Sequence, residues 1–116
     1  MNILYVENHA VFAKNVTGEF MSSHCVTIVP SIAAARAALS VTIYDLLLVD
    51  YDLDDGKGDT LIAECRSKHP DLPIVAVSSH NAGNDALQRA GATTVCSKMQ
   101  FDRIGLILDS LLHGAA

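Results

Sequence analysis

The chain has 116 residues and a formal net charge of -5; half its residues are hydrophobic, aromatics make up only 5% and Trp is absent. That length suits one domain burying roughly two thirds of its unfolded surface, with a core of Ala, Val, Leu and Ile as in layered α/β folds. An acidic balance without any Lys/Arg run excludes the footprint of direct nucleic-acid binding, and no stretch nears the roughly 18 apolar residues of a membrane span, so a soluble, cytoplasmic protein is expected.

An apolar run over residues 3–6 reads as the first strand, and Phe12, Val16 and Phe20, at i, i+4 and i+8, put one apolar face on a first helix. A second strand follows at 26–29; Pro30 then marks a turn, and Ser31 caps an Ala-rich helix through Leu39. The third strand, 46–49, leads into a helix over 59–67, which the prolines of HPDLP end. Residues 74–77 read as the fourth strand. The helix after it, 81–90, has a weak apolar face of Ala86, Leu87 and Ala90 and stops at Gly91. A fifth strand at 94–96 precedes a last helix over 101–112, with Asp102 near its start and a stripe of Phe101, Ile104, Leu108 and Leu111. All the strands read as buried on both faces.

Strands alternating with helices require right-handed crossovers, so the expected fold is α/β: a doubly wound, five-stranded parallel sheet with helices on both faces. One domain is expected over 1–116, with HGAA as a terminus and no output domain after it. Cys25, Cys65 and Cys96 read as buried reduced thiols. His9, His24, His69, His80 and His113 lack ligand spacing and read as surface or capping residues. In such a sheet the reactive groups gather past the carboxyl ends of the strands. Those positions hold Glu7 and Asn8, then Asp50, Ser78 and Lys98: carboxylates, a hydroxyl and a cation expected at one rim.

The stretch LLLVDYDLDDGKGD, with Asp50, Asp52 and Asp54 on alternate positions, admits several chemistries. A calcium loop starting at Asp50 fails, because its sixth, eighth and twelfth positions are Asp55, Lys57 and Leu61 where Gly, an apolar residue and Glu are needed. A strand ending in Asp-x-Asp is similar to the nucleophile motif of haloacid-dehalogenase-type phosphatases, with Asp50 attacking phosphorus and Asp52 as acid and base. That family carries the motif on an early first strand and needs a further acidic pair for Mg²⁺, which is missing after Lys98.

The whole chain resembles the receiver domain of bacterial response regulators, the CheY-like fold of two-component signalling. The resemblance rests on ILYVEN, YDLLLVDYDLDDGKG, PIVAVSS and AGATTVCSK, taken in their order and spacing. It implies that Asp50 accepts a phosphoryl group from a histidine kinase or a histidine phosphotransfer protein, in a Mg²⁺-dependent reaction without multiple turnover. It further implies Glu7, Asn8, Asp50 and the backbone carbonyl of Asp52 as the Mg²⁺ site, with Ser78 and Lys98 contacting phosphoryl oxygens. A dense anionic transfer centre in an acidic pocket needs both a divalent cation and a fixed positive charge. Gly56 and Gly58 are expected at positive φ, with Asp54 and Asp55 as solvated turn residues.

Three residues depart from the family pattern. Asn8 stands where a second acidic residue is usual, so weaker Mg²⁺ binding and slower phosphorylation are expected. Met99 replaces a proline that often follows a cis peptide, so Lys98 is either aimed differently or held under strain. Val95 replaces an aromatic that swings inward on activation, which weakens coupling to an output surface expected on the fourth helix, fifth strand and fifth helix. These departures keep open a second reading, a pseudo-receiver that binds partners without being phosphorylated.

Overall fold

A computed structural model describes residues 1–112; His113 and the HGAA end lie outside the described residues. The main sheet has five parallel strands, β1 (Asn2–Val6), β2 (Cys25–Val29), β3 (Leu46–Val49), β6 (Ile74–Ala76) and β7 (Thr94–Val95), in the order β2-β1-β3-β6-β7. A two-stranded antiparallel hairpin, β4 (Asp52–Leu53) with β5 (Gly56–Lys57), lies between β3 and the third helix. The helices are α1 (Ala10–Phe20), α2 (Ile32–Val41), α3 (Gly58–Lys68), α4 (Asn81–Ala90) and α5 (Ile104–Leu112). A 3₁₀ segment, Lys98–Arg103, kinked at Gln100, leads into α5. The Cα radius of gyration, 12.6 Å, matches the roughly 13 Å of a single domain of this length.

Because side chains alternate across a strand, each central strand feeds two cores. Leu4, Val6, Leu47, Val49, Ile74 and Ala76 face one way and pack with Ile32 and Ala35 of α2, Leu61, Ile62 and Cys65 of α3 and Leu87 of α4. Ile3, Tyr5, Leu46, Leu48 and Val75 face the other way, onto Ala13 and Val16 of α1 and Ile104 and Leu108 of α5. Apolar runs on β1, β3 and β6 are thus continuous because both faces are covered. The outer strand β2 departs from that expectation: Cys25 and Thr27 are exposed and the rest only half-buried, since an edge strand has a neighbour on one side alone. Cys25 is accordingly an exposed thiol, whereas Cys65 and Cys96 are buried as expected.

Local signals account for most element ends. Ser31 Oγ accepts the Ala34 N–H at 3.0 Å and starts α2; Gly91, at φ +127°, closes α4. The last helix departs from its expected start at Phe101, because Ser97 Oγ accepts the Met99 N–H at 3.2 Å and begins a tighter turn three residues earlier. His9, His69 and His80 are exposed at helix ends and His24 is half-buried.

Asp55 is exposed in the hairpin turn, as expected, but it does more than face solvent. Its carboxylate accepts the N–H groups of Ile32 at 2.7 Å and Ala33 at 3.0 Å, so it caps α2 from the turn of the hairpin and its acidity is increased by those bonds. Asp54 remains an exposed turn residue. Gly56 has φ +153° as expected, but Gly58 does not adopt positive φ. Gly58 is required for a different reason: a Cβ there would fall 2.0 Å from the Asp50 carbonyl oxygen.

Candidate functional site

The ladder of the sheet extends one residue past each central strand and sets the register of the carboxyl edge. The Asp50 N–H donates to the Val6 carbonyl at 3.0 Å, the Val77 N–H to Val49 at 3.1 Å, and the Lys98 N–H to Ser78 at 3.3 Å. Glu7, Asp50 and Ser78 therefore emerge side by side from β1, β3 and β6, and are 1%, 4% and 2% exposed. Few polar side chains are buried so completely unless they are paired.

Lys98 supplies the pairing. Its Nζ lies 2.8 Å from Asp50 Oδ2 and 2.5 Å from Glu7 Oε1, and 5.3 Å from the centre of the Phe12 ring. No cis peptide bond occurs among the described residues, so Lys98 reaches the carboxylates through a trans bond to Met99. Phe12 belongs to a cluster of all three phenylalanines and Tyr5 around Phe101: Phe12 meets Phe101 edge-on with centroids 6.0 Å apart, and Tyr5 stacks on Phe101 at 6.0 Å. The remaining carboxylate oxygens are held by backbone, Asp50 Oδ1 by the Tyr51 N–H at 2.8 Å and Glu7 Oε2 by the His9 N–H at 3.1 Å.

Two carboxylates against one ammonium leave a formal charge of -1 in a largely buried pocket. Burial raises the Glu7 carboxyl above its ordinary range; the Lys98 hydrogen bond opposes this and the neighbouring Asp50 charge adds to it. Burial works against the charge on Lys98, but the bonds it donates to Asp50 and Glu7 prevail and hold its ammonium above the usual lysine value. Burial and the Glu7 charge likewise push the Tyr5 hydroxyl upward.

The other predicted site residues are placed differently. Asn8 Oδ1 is buried without a hydrogen-bond partner, an open neutral acceptor one residue on from Glu7. Among the described residues no three His, Cys, Asp or Glu side chains gather as a metal site; this edge brings together two such carboxylates, Glu7 and Asp50, and the Asn8 carboxamide is a neutral oxygen. The Asp52 side chain turns away to pair with Lys57 across the β4–β5 hairpin, and that cation lies 5.2 Å over the Tyr51 ring. Ser78 Oγ accepts the His80 N–H at 3.2 Å.

Sequence reasoning missed Asn84. Its side chain accepts the Ser78 N–H and donates to the Ser78 carbonyl, both at 2.9 Å, and it is 4% exposed. The only signal for it in the sequence is a polar residue on the buried face of a helix whose apolar face was already weak. Val95 is half-buried on β7 and contributes an aliphatic contact where no ring is present.

The family model for the response regulator receiver domain matches residues 3–107. No curated protein matches. The chain is similar in structure to the receiver domain of NtrX from Brucella abortus, with 26% identity, a TM-score of 0.86 and coverage of 97% of this chain and 99% of that one. It is also similar to a putative response regulator from Chloroflexus aurantiacus (20% identity, TM-score 0.85, 97% and 98% covered). A third relative is response regulator Rcp1, solved in a Mn²⁺-bound form (20% identity, TM-score 0.81, 99% and 96% covered). With that match running through β1, β3, β6 and β7 and the acidic edge they build, the chain belongs to the response regulator receiver domain family, a signalling module of two-component systems.

Proposed function

We propose that this receiver takes a phosphoryl group on Asp50 from a histidine kinase or histidine phosphotransfer protein, and signals through partner binding. The observation that carries the reading is the buried Asp50 carboxylate, fixed by Lys98 at 2.8 Å and by the Tyr51 N–H at 2.8 Å. In the transfer, an Asp50 carboxylate oxygen forms a bond to phosphorus as the bond from phosphorus to the donor imidazole nitrogen breaks, and that nitrogen keeps the electron pair. Lys98, already oriented, bears on the oxygens where negative charge collects, and the Ser78 hydroxyl donates to one of them. The buried edge excludes water from the acceptor.

The residues present fit a divalent cation. The open Asn8 Oδ1 and the residual negative charge of Glu7 and Asp50 are what such an ion would take up, with the Asp52 carbonyl as a further oxygen. Bound there, Mg²⁺ would neutralise charge shared between the carboxylates and the incoming phosphoryl group. With Asn8 contributing no charge, affinity is set below that of a site with three carboxylates. The same residue supports the second reading, an interaction module that is not phosphorylated.

Intact-mass spectrometry after acetyl phosphate and Mg²⁺ tests the reading. One phosphoryl adduct is expected on the chain and none on Asp50→Asn; absence of the adduct at every Mg²⁺ concentration overturns it in favour of the unphosphorylated module. Sustained hydrolysis of a small phosphate ester would favour a phosphatase instead. Calorimetric titration of Asn8→Asp with Mg²⁺ is expected to give roughly tenfold tighter binding than the parent chain, as ligand charge raises affinity.

A further inference from the structure

Ser78 ends the chain's run through the sheet, and only Ser79 and His80 separate it from α4. A backbone leaving a sheet edge under cover needs partners for its N–H and its carbonyl. Both come from one side chain: Asn84 Oδ1 accepts the Ser78 N–H and Asn84 Nδ2 donates to the Ser78 carbonyl, each at 2.9 Å and buried. This is the pairing that a neighbouring strand would make, supplied by a carboxamide six residues on. The first turn of α4 sits flush against it, since a Cβ on Gly83 would fall 2.7 Å from Ser78 Oγ and 3.1 Å from Tyr51 Cβ. Ser78 can then move only by breaking the two buried Asn84 hydrogen bonds or by carrying α4 with it, and its carbonyl also accepts the Lys98 N–H at 3.3 Å.

We propose that Asn84 is a positioning residue for phosphoryl transfer, its carboxamide fork pre-setting Ser78 so that the hydroxyl meets the phosphoryl group without a loop rearrangement. This rests on the receiver reading. A merely structural amide would stabilise α4 and leave the chemistry of Ser78 alone. A positioning amide acts through Ser78, and its effect disappears with the hydroxyl.

The test is a double-mutant cycle on the rate of phosphorylation by acetyl phosphate and Mg²⁺, followed by intact mass, with folding monitored by circular dichroism. Asn84→Ala is expected to slow the parent chain roughly 10- to 100-fold, the scale of a small misplacement at a reacting centre, and to change the Ser78→Ala chain less than about threefold. Asn84→Asp, which keeps the acceptor for the Ser78 N–H and loses the donor to its carbonyl, is expected to fall between. It serves as the cycle's variant if Asn84→Ala does not fold. Equal slowing in both backgrounds, or none in the parent, overturns the proposal while leaving the receiver reading intact. A parent chain that gains no phosphoryl mass overturns the receiver reading and this proposal together.

Discussion

Each edge of the parallel sheet sets a long basic side chain among oxygens, Arg66 at one and Lys98 at the other, and the two differ in what those oxygens are. At the amino edge, where the chain enters β6 and β7, Arg66 donates to the carbonyls of Gly91 at 3.0 and 2.8 Å, Pro70 at 2.8 Å, Leu72 at 2.8 Å and His69 at 3.2 Å. Those carbonyls end α3 and α4 and the loops after them, where helix geometry leaves carbonyls without intrahelical donors; the His69 carbonyl also accepts the Leu72 N–H at 3.2 Å. At the carboxyl edge, Lys98 faces the carboxylates of Asp50 and Glu7. Carbonyls are neutral and the guanidinium is half-exposed, so the Arg66 corner is complete as it stands, with solvent balancing its charge. The Lys98 corner is not: it retains a buried negative charge that only another cation or a proton can balance. One edge uses its cation to finish the fold, and the other sets it against buried carboxylates that outnumber it.

Removing Lys98 should separate the edges most. Lys98→Met is expected to slow phosphorylation of Asp50 by about 10²–10³-fold, the cost of one preorganised electrostatic contact. Its loss of stability should shrink on acidification, because Glu7, already raised, takes up a proton in place of the lost partner. Urea midpoints at pH 7 and pH 5 measure this; phosphorylation within threefold of the parent would remove the distinction between the edges. Arg66→Met should do the reverse. Hydrogen bonds from a charged donor, discounted for its half-exposed guanidinium, put the loss of stability at about 2–3 kcal/mol. That loss should be the same at both pH values, with the phosphorylation rate of the folded chain unchanged.

The contrast also explains what the sequence could say. The strands and α3 and α4 were legible to within a residue or so, because apolar runs between turn residues report burial directly. The meeting of Glu7, Asp50 and Lys98 at one edge was legible as a position, since each follows a strand and parallel strands end together. Arg66 was not, because its partners are loop carbonyls up to 25 residues away, and carbonyls are the same in every residue. Asp55 escaped for the same reason, bonding to backbone N–H groups 22 and 23 residues back. The β4–β5 hairpin, two residues per strand, is too short to show a period. Side chain to side chain pairing leaves a trace in residue types; side chain to backbone pairing leaves almost none.

Glu7→Gln probes the smallest and most pointed difference. Burial and the Asp50 charge hold the Glu7 carboxyl above its ordinary value of 4.5, in spite of Lys98. A carboxyl whose folded value lies above its unfolded one contributes stability that is complete below the unfolded value and is lost as pH rises through the folded value. The parent chain should therefore lose stability as pH climbs out of the ordinary glutamate range, whereas Glu7→Gln, which cannot ionise, should lack that decline and have the higher urea midpoint at pH 7. The same variant should bind Mg²⁺ more weakly, because the charge it removes is one that the ion would balance. Combined with Arg66→Met at the opposite edge, the two shifts should add, since the sites share no partner. A Glu7→Gln chain less stable than the parent at pH 7 would mean that Lys98 already balances the pocket, and the carboxyl edge would then be as complete a structure as the Arg66 corner.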